Sequence, residues 1–411
     1  MVLDTFRLVR SLPQQVQILV AGSLVNRLGS FIVPYLSLVL VREFDLTPER
    51  AALLVACYGG GSLVSILAGG VLTDTLGRRR TLLLSLFGSG VFAAAMAAAP
   101  SLAVFVPLLT GFAFVADLYR PASSAMIGDH LPSSQRAVGF AALRVAVNLG
   151  FAVGMGLGGL LVDWSWRAMF AADGLTTLAF GCVVLRYIRE SRPAAHDEAA
   201  PAAEGGDPRD APEPLWRDAT FLQVSLSSLL FATIVFSDFT VFPLTATLSA
   251  GYPASVFGLL VGINGLLIML FEVSATAWLR RFRRLRVAAV GALLAGLGVG
   301  LTGFVLHWAW FLLAVLLWTA GEILTVPQQS AFITDWAPPL RRGRYLSGFS
   351  ATWSLAIALN PLVCLPAYSA LGERRFWPLL GLLSLPAAWL LWRVDASADR
   401  PERLRGLTRE S

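Results

Sequence analysis

The chain has 411 residues, 56% of them hydrophobic and only 14% charged, with a mean hydropathy of +0.68. This composition excludes an ordinary soluble domain and marks a membrane protein. The net charge of +6 rests on arginine alone, since no lysine occurs, and most of the arginines sit between apolar runs. That placement reflects membrane topology and excludes a nucleic-acid surface.

Twelve apolar runs of roughly 18–28 residues follow one another, each long enough to cross a hydrocarbon core of about 30 Å as a helix. Their continuity excludes a transmembrane β-barrel, whose strands are shorter and alternate in polarity. The predicted spans are 14–41, 50–72, 81–99, 101–129, 137–162, 168–188, 219–248, 254–279, 287–306, 309–335, 345–367 and 376–392. The opening residues MVLDTFRLVRSLPQQ lack a signal-peptide pattern, so span 1 is expected to direct insertion itself. Placing both termini in the cytoplasm puts most arginines inside, which fixes the expected orientation in a cell (inner) membrane.

Residues 1–13 form a short cytoplasmic N-terminus, and 14–190 the first six spans. The stretch 191–218 is rich in Pro, Ala, Gly and acids and is expected to be a disordered cytoplasmic linker. Spans 7–12 occupy 219–392, and 393–411 is a basic tail. The two halves are related. RPASSAMIGDHLPSSQR (120–136) aligns without gaps to VPQQSAFITDWAPPLRR (326–342), with identities at Pro121/Pro327, Ser124/Ser330, Ala125/Ala331, Ile127/Ile333, Asp129/Asp335, Pro132/Pro338 and Arg136/Arg342. A constant offset of 206 between spans 4 and 10 indicates a duplicated six-helix unit. The expected fold is therefore all-α, with twelve membrane helices in two pseudo-symmetric six-helix bundles.

Charges inside the spans are the strongest functional pointers, because each costs at least about 2.5–3.5 kcal/mol at midplane without a partner or a wet cavity. Arg27 lies about halfway along span 1, Asp117 and Arg120 near the middle of span 4, Asp238 in the outer half of span 7 and Glu322 at the middle of span 10. Asp117 and Arg120 share a helical face, so they either neutralise each other or take part in coupling. Arg27 is expected to pair with Asp117 or Glu322. For proton coupling Glu322 is the first choice, then Asp117 and Asp238: a buried acid whose arginine partner substrate can displace suits a proton carrier. Asn26, Tyr119, Arg144 and Asn148 are candidate cavity-lining residues, with snorkelling the competing reading for Arg144. Asp163 and Asp173 are placed near the outer surface, served by solvation or helix capping. Trp318, Trp353 and Phe112 suit either an apolar pocket or ordinary core, and Pro34, Pro121 and Pro327 are expected to bend spans 1, 4 and 10. Cys57, Cys182 and Cys364 are far apart without metal-ligand spacing, and no metal site is expected.

Between spans 2 and 3 lies GGVLTDTLGRRR, residues 69–80. Gly70, Asp74, Gly77, Arg78 and Arg79 match the loop signature of the major facilitator superfamily, and the chain resembles its twelve-helix drug:proton antiporter-like group. GFAVGMGLGG (150–159) matches that group's glycine-spaced helix 5 in part, with Met155 where a proline is expected. The resemblance implies secondary active transport by alternating access, with helices 1, 4, 7 and 10 lining a central cavity. It also implies a cytoplasmic gate in which Asp74 and Arg78 join Asp129 near the start of helix 11. The chain has no phosphate-binding GxxxxGK[ST] sequence, so no cofactor is expected and an ion gradient, the proton gradient first, is the energy source. Expected partners are a small-molecule substrate, protons and the bilayer, with a functional monomer. The leading expectation is proton-coupled efflux of hydrophobic or amphipathic compounds; a proton-coupled importer of a peptide or sugar and a lipid flippase stand beside it.

Overall fold

The computed structural model describes residues 12–191, 215–304, 307–338 and 342–397. Much of the linker expected over 191–218, of the segment 1–13 and of the tail 393–411 lies outside the described residues. The described chain is helical, without strands, and twelve of its helices are long and apolar enough to cross a membrane. They are α1 (Gln14–Arg42), α2 (Pro48–Thr75), α3 (Arg78–Ala97), α4 (Leu102–His130), α5 (Val138–Trp164), α6 (Trp166–Tyr187), α7 (Ala219–Ser249), α8 (Ala254–Leu279), α9 (Arg284–Phe304), α10 (Trp308–Trp336), α11 (Arg344–Leu371) and α12 (Glu373–Ser397). Every span predicted from the apolar runs is present, and the chain is a multi-pass membrane protein.

Local chemistry sets the helix ends. Thr47 caps α2 through the Arg50 N–H, with Pro48 at the first helical position where no N–H is needed. Gly77 turns the chain into α3 at φ +106°, a conformation closed to most L-residues. Asp218 accepts the Phe221 N–H at 3.0 Å at the start of α7, and its other oxygen takes Trp336 Nε1 and Tyr345 OH, each at 2.9 Å.

The chain forms two compact units. One contains the described residues of Met1–Asp210 with Asp238–Leu266 and Pro361–Pro366; the other contains those of Ala211–Ser237, Leu267–Asn360 and Ala367–Ser411. Within the first, α3 and α6 cross at glycine: a Cβ built on Gly90 would meet the Gly174 carbonyl at 3.1 Å. Within the second, α9 and α12 cross at Gly296 and Gly381, where a Cβ on Gly296 would lie 2.6 Å from the Gly381 carbonyl. Gly296 is Gly90 displaced by 206, so the duplication extends to the packing of backbones that only small residues permit.

Asp238–Leu266 also packs inside the first unit. Asp163, at the end of α5, accepts the N–H groups of Ala254 and Ser255 at 2.8 Å each and so caps α8. Tyr35 donates to the Met155 carbonyl at 2.6 Å and stacks edge-on against Phe257.

Candidate transport site

Two helices of the first unit are broken at midspan. α1 consists of Gln14–Leu28 and Ile32–Arg42, and α4 of Leu102–Ala116 and Tyr119–His130. Both breaks fall in the turn before a proline expected to bend the helix: Pro34 and Pro121 have no N–H to give Ser30 and Asp117, four residues back and inside the breaks, and their rings crowd those carbonyls. Pro34 and Pro121 sit in the first turn after each break, where a missing N–H costs nothing, and α10 runs unbroken over Pro327. The breaks also depend on neighbours that satisfy the freed backbone groups. At α4, Ser85 of α3 donates to the carbonyls of Val115 (2.7 Å) and Ala116 (3.1 Å) and accepts the Tyr119 N–H at 3.1 Å. Ser65 of α2 accepts the Asp117 N–H at 3.2 Å.

Asp117 stands in the α4 break. Its carboxylate pairs with Arg120 Nε at 2.6 Å and accepts a hydrogen bond from Ser62. The pair neutralises a buried acid, as its shared face predicts, and Ser62 occupies the remaining oxygen. Within its unit, Arg27 pairs with neither Asp117 nor another carboxylate. Its Nη2 donates to Tyr119 OH at 2.6 Å, its guanidinium lies 5.7 Å from the Tyr119 ring centroid, and its buried Nε has no hydrogen-bond partner. The expected ion pair is therefore replaced by a neutral hydroxyl, because Arg120 is one helical turn from Asp117 and takes it first. Asn26 donates to Thr177 Oγ1 of α6 at 2.9 Å.

The structure thus gathers Asn26, Arg27, Asp117, Tyr119 and Arg120 in the first unit. Asp238 is buried in the same unit, and Glu322 is buried in α10 of the second. Asn148 is half-buried on α5 and Arg144 is exposed. Trp318 and Phe112 are buried core residues, and Trp353 packs edge-on against Phe236.

At the loop between α2 and α3, Arg78 Nε pairs with Asp129 Oδ2 at 3.1 Å and its Nη1 lies 3.7 Å from Asp74. Asp129 also accepts from Ser191 at 2.7 Å. Glu190 accepts the Arg79 N–H at 2.9 Å, and a Cβ at Gly77 would meet it at 2.9 Å. Gly70 has open space where a Cβ would be.

Sequence reasoning missed Ser62, Ser65, Ser85 and Thr177, polar residues on otherwise apolar helices. The spacing of Ser62 and Ser65, one turn apart, was the available signal. It also misplaced Asp173. The capping role holds, but the residue is only 5% exposed, and its Oδ2 accepts the N–H groups of Phe31 (3.1 Å) and Ile32 (3.2 Å) at the start of the second segment of α1.

Comparison with known proteins fits this architecture. The profile of the Major Facilitator Superfamily matches residues 19–361. A Na(+), Li(+), K(+)/H(+) antiporter of Planococcus maritimus is 26% identical over 80% of this chain and 84% of its own length. The quinolone resistance protein NorA of Staphylococcus aureus is 30% identical over 36% of this chain and 38% of its own. Among solved structures, a POT family transporter in complex with 5-aminolevulinic acid superposes with a TM-score of 0.78 at 16% identity, covering 95% of this chain and 100% of that one, a likeness of fold. With the family profile spanning most of its length, the chain belongs to the Major Facilitator Superfamily and is a membrane transporter.

Proposed function

We propose that this transporter is a proton-coupled exporter of hydrophobic or amphipathic small molecules in the cell (inner) membrane, with both termini cytoplasmic. The observation that carries the reading is the state of the midspan charges: Asp117 is occupied by Arg120, while Arg27 is left on a tyrosine hydroxyl with no carboxylate. A guanidinium within a span that is hydrogen-bonded to a neutral hydroxyl has a cost that an anionic group on the substrate offsets. Glu322, buried in α10, supplies the titrating acid in this reading, and no nucleotide or other cofactor is required. The cation/H(+) antiporter among the relatives supports exchange against protons, and the quinolone resistance protein supports an amphipathic substrate. Arg78, Asp129 and Asp74 would then latch the cytoplasmic side.

The test uses everted membrane vesicles with an acidified interior and a fluoroquinolone, which is amphipathic and carries a carboxylate. Uptake that collapses with the pH gradient and is lost in Glu322→Gln supports the reading; uptake indifferent to both sinks it. A second reading, import of a polar solute bearing a carboxylate, is favoured by the same unpaired Arg27. Right-side-out vesicles driven by an acidic exterior, offered a dipeptide, distinguish the direction.

A further inference from the structure

Beyond the charges on α1, α4, α7 and α10, one buried carboxylate has no part in the reading so far. Asp173 lies on α6 at the level of the α1 break, and its hydrogen bonds are to neutral groups: its Oδ2 takes the Phe31 and Ile32 N–H groups, and Thr177 Oγ1 reaches Oδ1 at 3.5 Å. The same Thr177 hydroxyl accepts from Asn26, the residue before Arg27. On the first segment's side of the break, Ser30 Oγ and the Gly29 N–H both bond to the Asn26 carbonyl, at 3.0 and 3.2 Å. A Cβ on Gly29 would collide with Thr176, the neighbour of Thr177. Residues 173–177 of α6 therefore hold both sides of the α1 break.

Other charges near Asp173 are few. Arg27 of α1 and Tyr58 of α2 are the titratable or charged groups that act on it. α3 presents Gly90 and Ala94 at this level. α5 carries no titratable residue between 145 and 162, and Tyr35, farther along α1, is engaged by the Met155 carbonyl.

We propose that Asp173 is a proton-binding residue of the transport cycle whose charge holds the α1 break and thereby positions Arg27. The inference rests on the proton-coupled reading above. A hydronium ion gives up one O–H bond and becomes water as one O–H bond forms at Oδ1, the oxygen not used by the backbone; no heavy-atom bond changes. Hydrogen bonds to an ionised acceptor are roughly twice as strong as neutral ones, so protonation weakens the hold on Phe31 and Ile32. It also removes the negative charge that acts on Arg27. Both effects loosen the junction between the two segments of α1 and free the arginine to reorient.

The experiment uses the full-length protein in liposomes of phosphatidylethanolamine and phosphatidylglycerol. Infrared difference spectra on a pH step should show a buried carboxyl C=O band that is absent in Asp173→Asn. In Thr177→Val, which removes the hydroxyl at Oδ1, the band should shift in frequency. Spin labels at Ala21→Cys and Val33→Cys, with Cys57, Cys182 and Cys364 replaced by serine, flank the break. Their separation should change with pH in the otherwise wild-type protein and stay at its acid value at all pH in Asp173→Asn. A band that persists in Asp173→Asn, or a separation that ignores pH, overturns the proposal. If Asp173→Asn does not fold, an unshifted band in Thr177→Val overturns it. Absence of proton-driven fluoroquinolone uptake beside an intact Asp173 band would refute the export reading alone. Proton-driven uptake with a band that survives Asp173→Asn would refute this inference alone.

Discussion

The two halves share a frame yet treat their fourth helix differently. In both, an arginine at the start of the third helix pairs with an aspartate at the end of the fourth: Arg78 with Asp129, and Arg284 with Asp335, each displaced by 206. In both, the third and sixth helices cross at glycine. However, α4 breaks at Asp117 whereas α10 is continuous. The exchange that accompanies this is Ser85 against Gly291. Ser85 satisfies three of the backbone groups freed in α4, while at Gly291 the helices close up, and a Cβ there would lie 2.8 Å from the Gly321 carbonyl. A hydroxyl permits a break where a bare backbone permits close packing.

A second exchange works the same way. At Gly154, a Cβ would meet the Arg27 carbonyl at 2.8 Å. Its counterpart Asn360 donates to the carbonyl of Thr233, the counterpart of Arg27, at 2.7 Å. The contact between first and fifth helices is retained, by proximity in one half and by a hydrogen bond in the other. The loops diverge too: Glu190 receives the α3 N-terminus, whereas Asp395 receives the side chains of Arg283 and Arg286 at 3.0 and 2.8 Å.

This comparison can be broken at graded cost. The largest effect is expected at the shared glycine crossing. Gly296→Val drives a branched side chain into the Gly381 backbone, where overpacking costs at least about 1–3 kcal/mol, and thermal unfolding in detergent should show a large fall in Tm or loss of folded protein. Gly90→Val should act likewise, and a tolerated Gly90→Val would deny the equivalence. Next, Ser85→Ala leaves the Tyr119 N–H and two carbonyls unpaired in the α4 break, about 1–3 kcal/mol, with loss of vesicle transport; Gly291→Ala should lower Tm by overpacking while leaving α4 untouched. A smaller loss is expected for Asp129→Asn, about 1 kcal/mol, because the pair's members are only 10% and 15% exposed and the amide keeps a neutral hydrogen bond in place of a charge-assisted one roughly twice as strong. The smallest falls at Asp335→Asn: that side chain is 65% exposed, and an exposed pair contributes about 0–1 kcal/mol, within the scatter of a Tm measurement. Equal losses at Asp129 and Asp335 would show that the first-half pair has no special role.

Much of this architecture is legible in the chain itself. Uninterrupted apolar runs must become helices in a bilayer, because no other open structure satisfies its own backbone there. The loop GGVLTDTLGRRR and the repeat around Asp129 and Asp335 mark the duplication, and the midspan charges stand out because lipid penalises them. The sequence also pairs Asp117 with Arg120, since a three-residue spacing on a helix is local geometry.

What it does not determine is which proline breaks its helix and which charge is left without a carboxylate. Proline is the local signal for a break and marks those before Pro34 and Pro121, yet Pro327 makes none, and the groups freed at the two breaks are satisfied by Asp173 and Ser85. Those supporting groups come from other helices, and their proximity is set by packing between segments distant in the chain. Arg27 rests on Tyr119 for the same reason: a buried charge takes the partner that packing leaves within reach, and pattern alone holds no distance between α1 and α4.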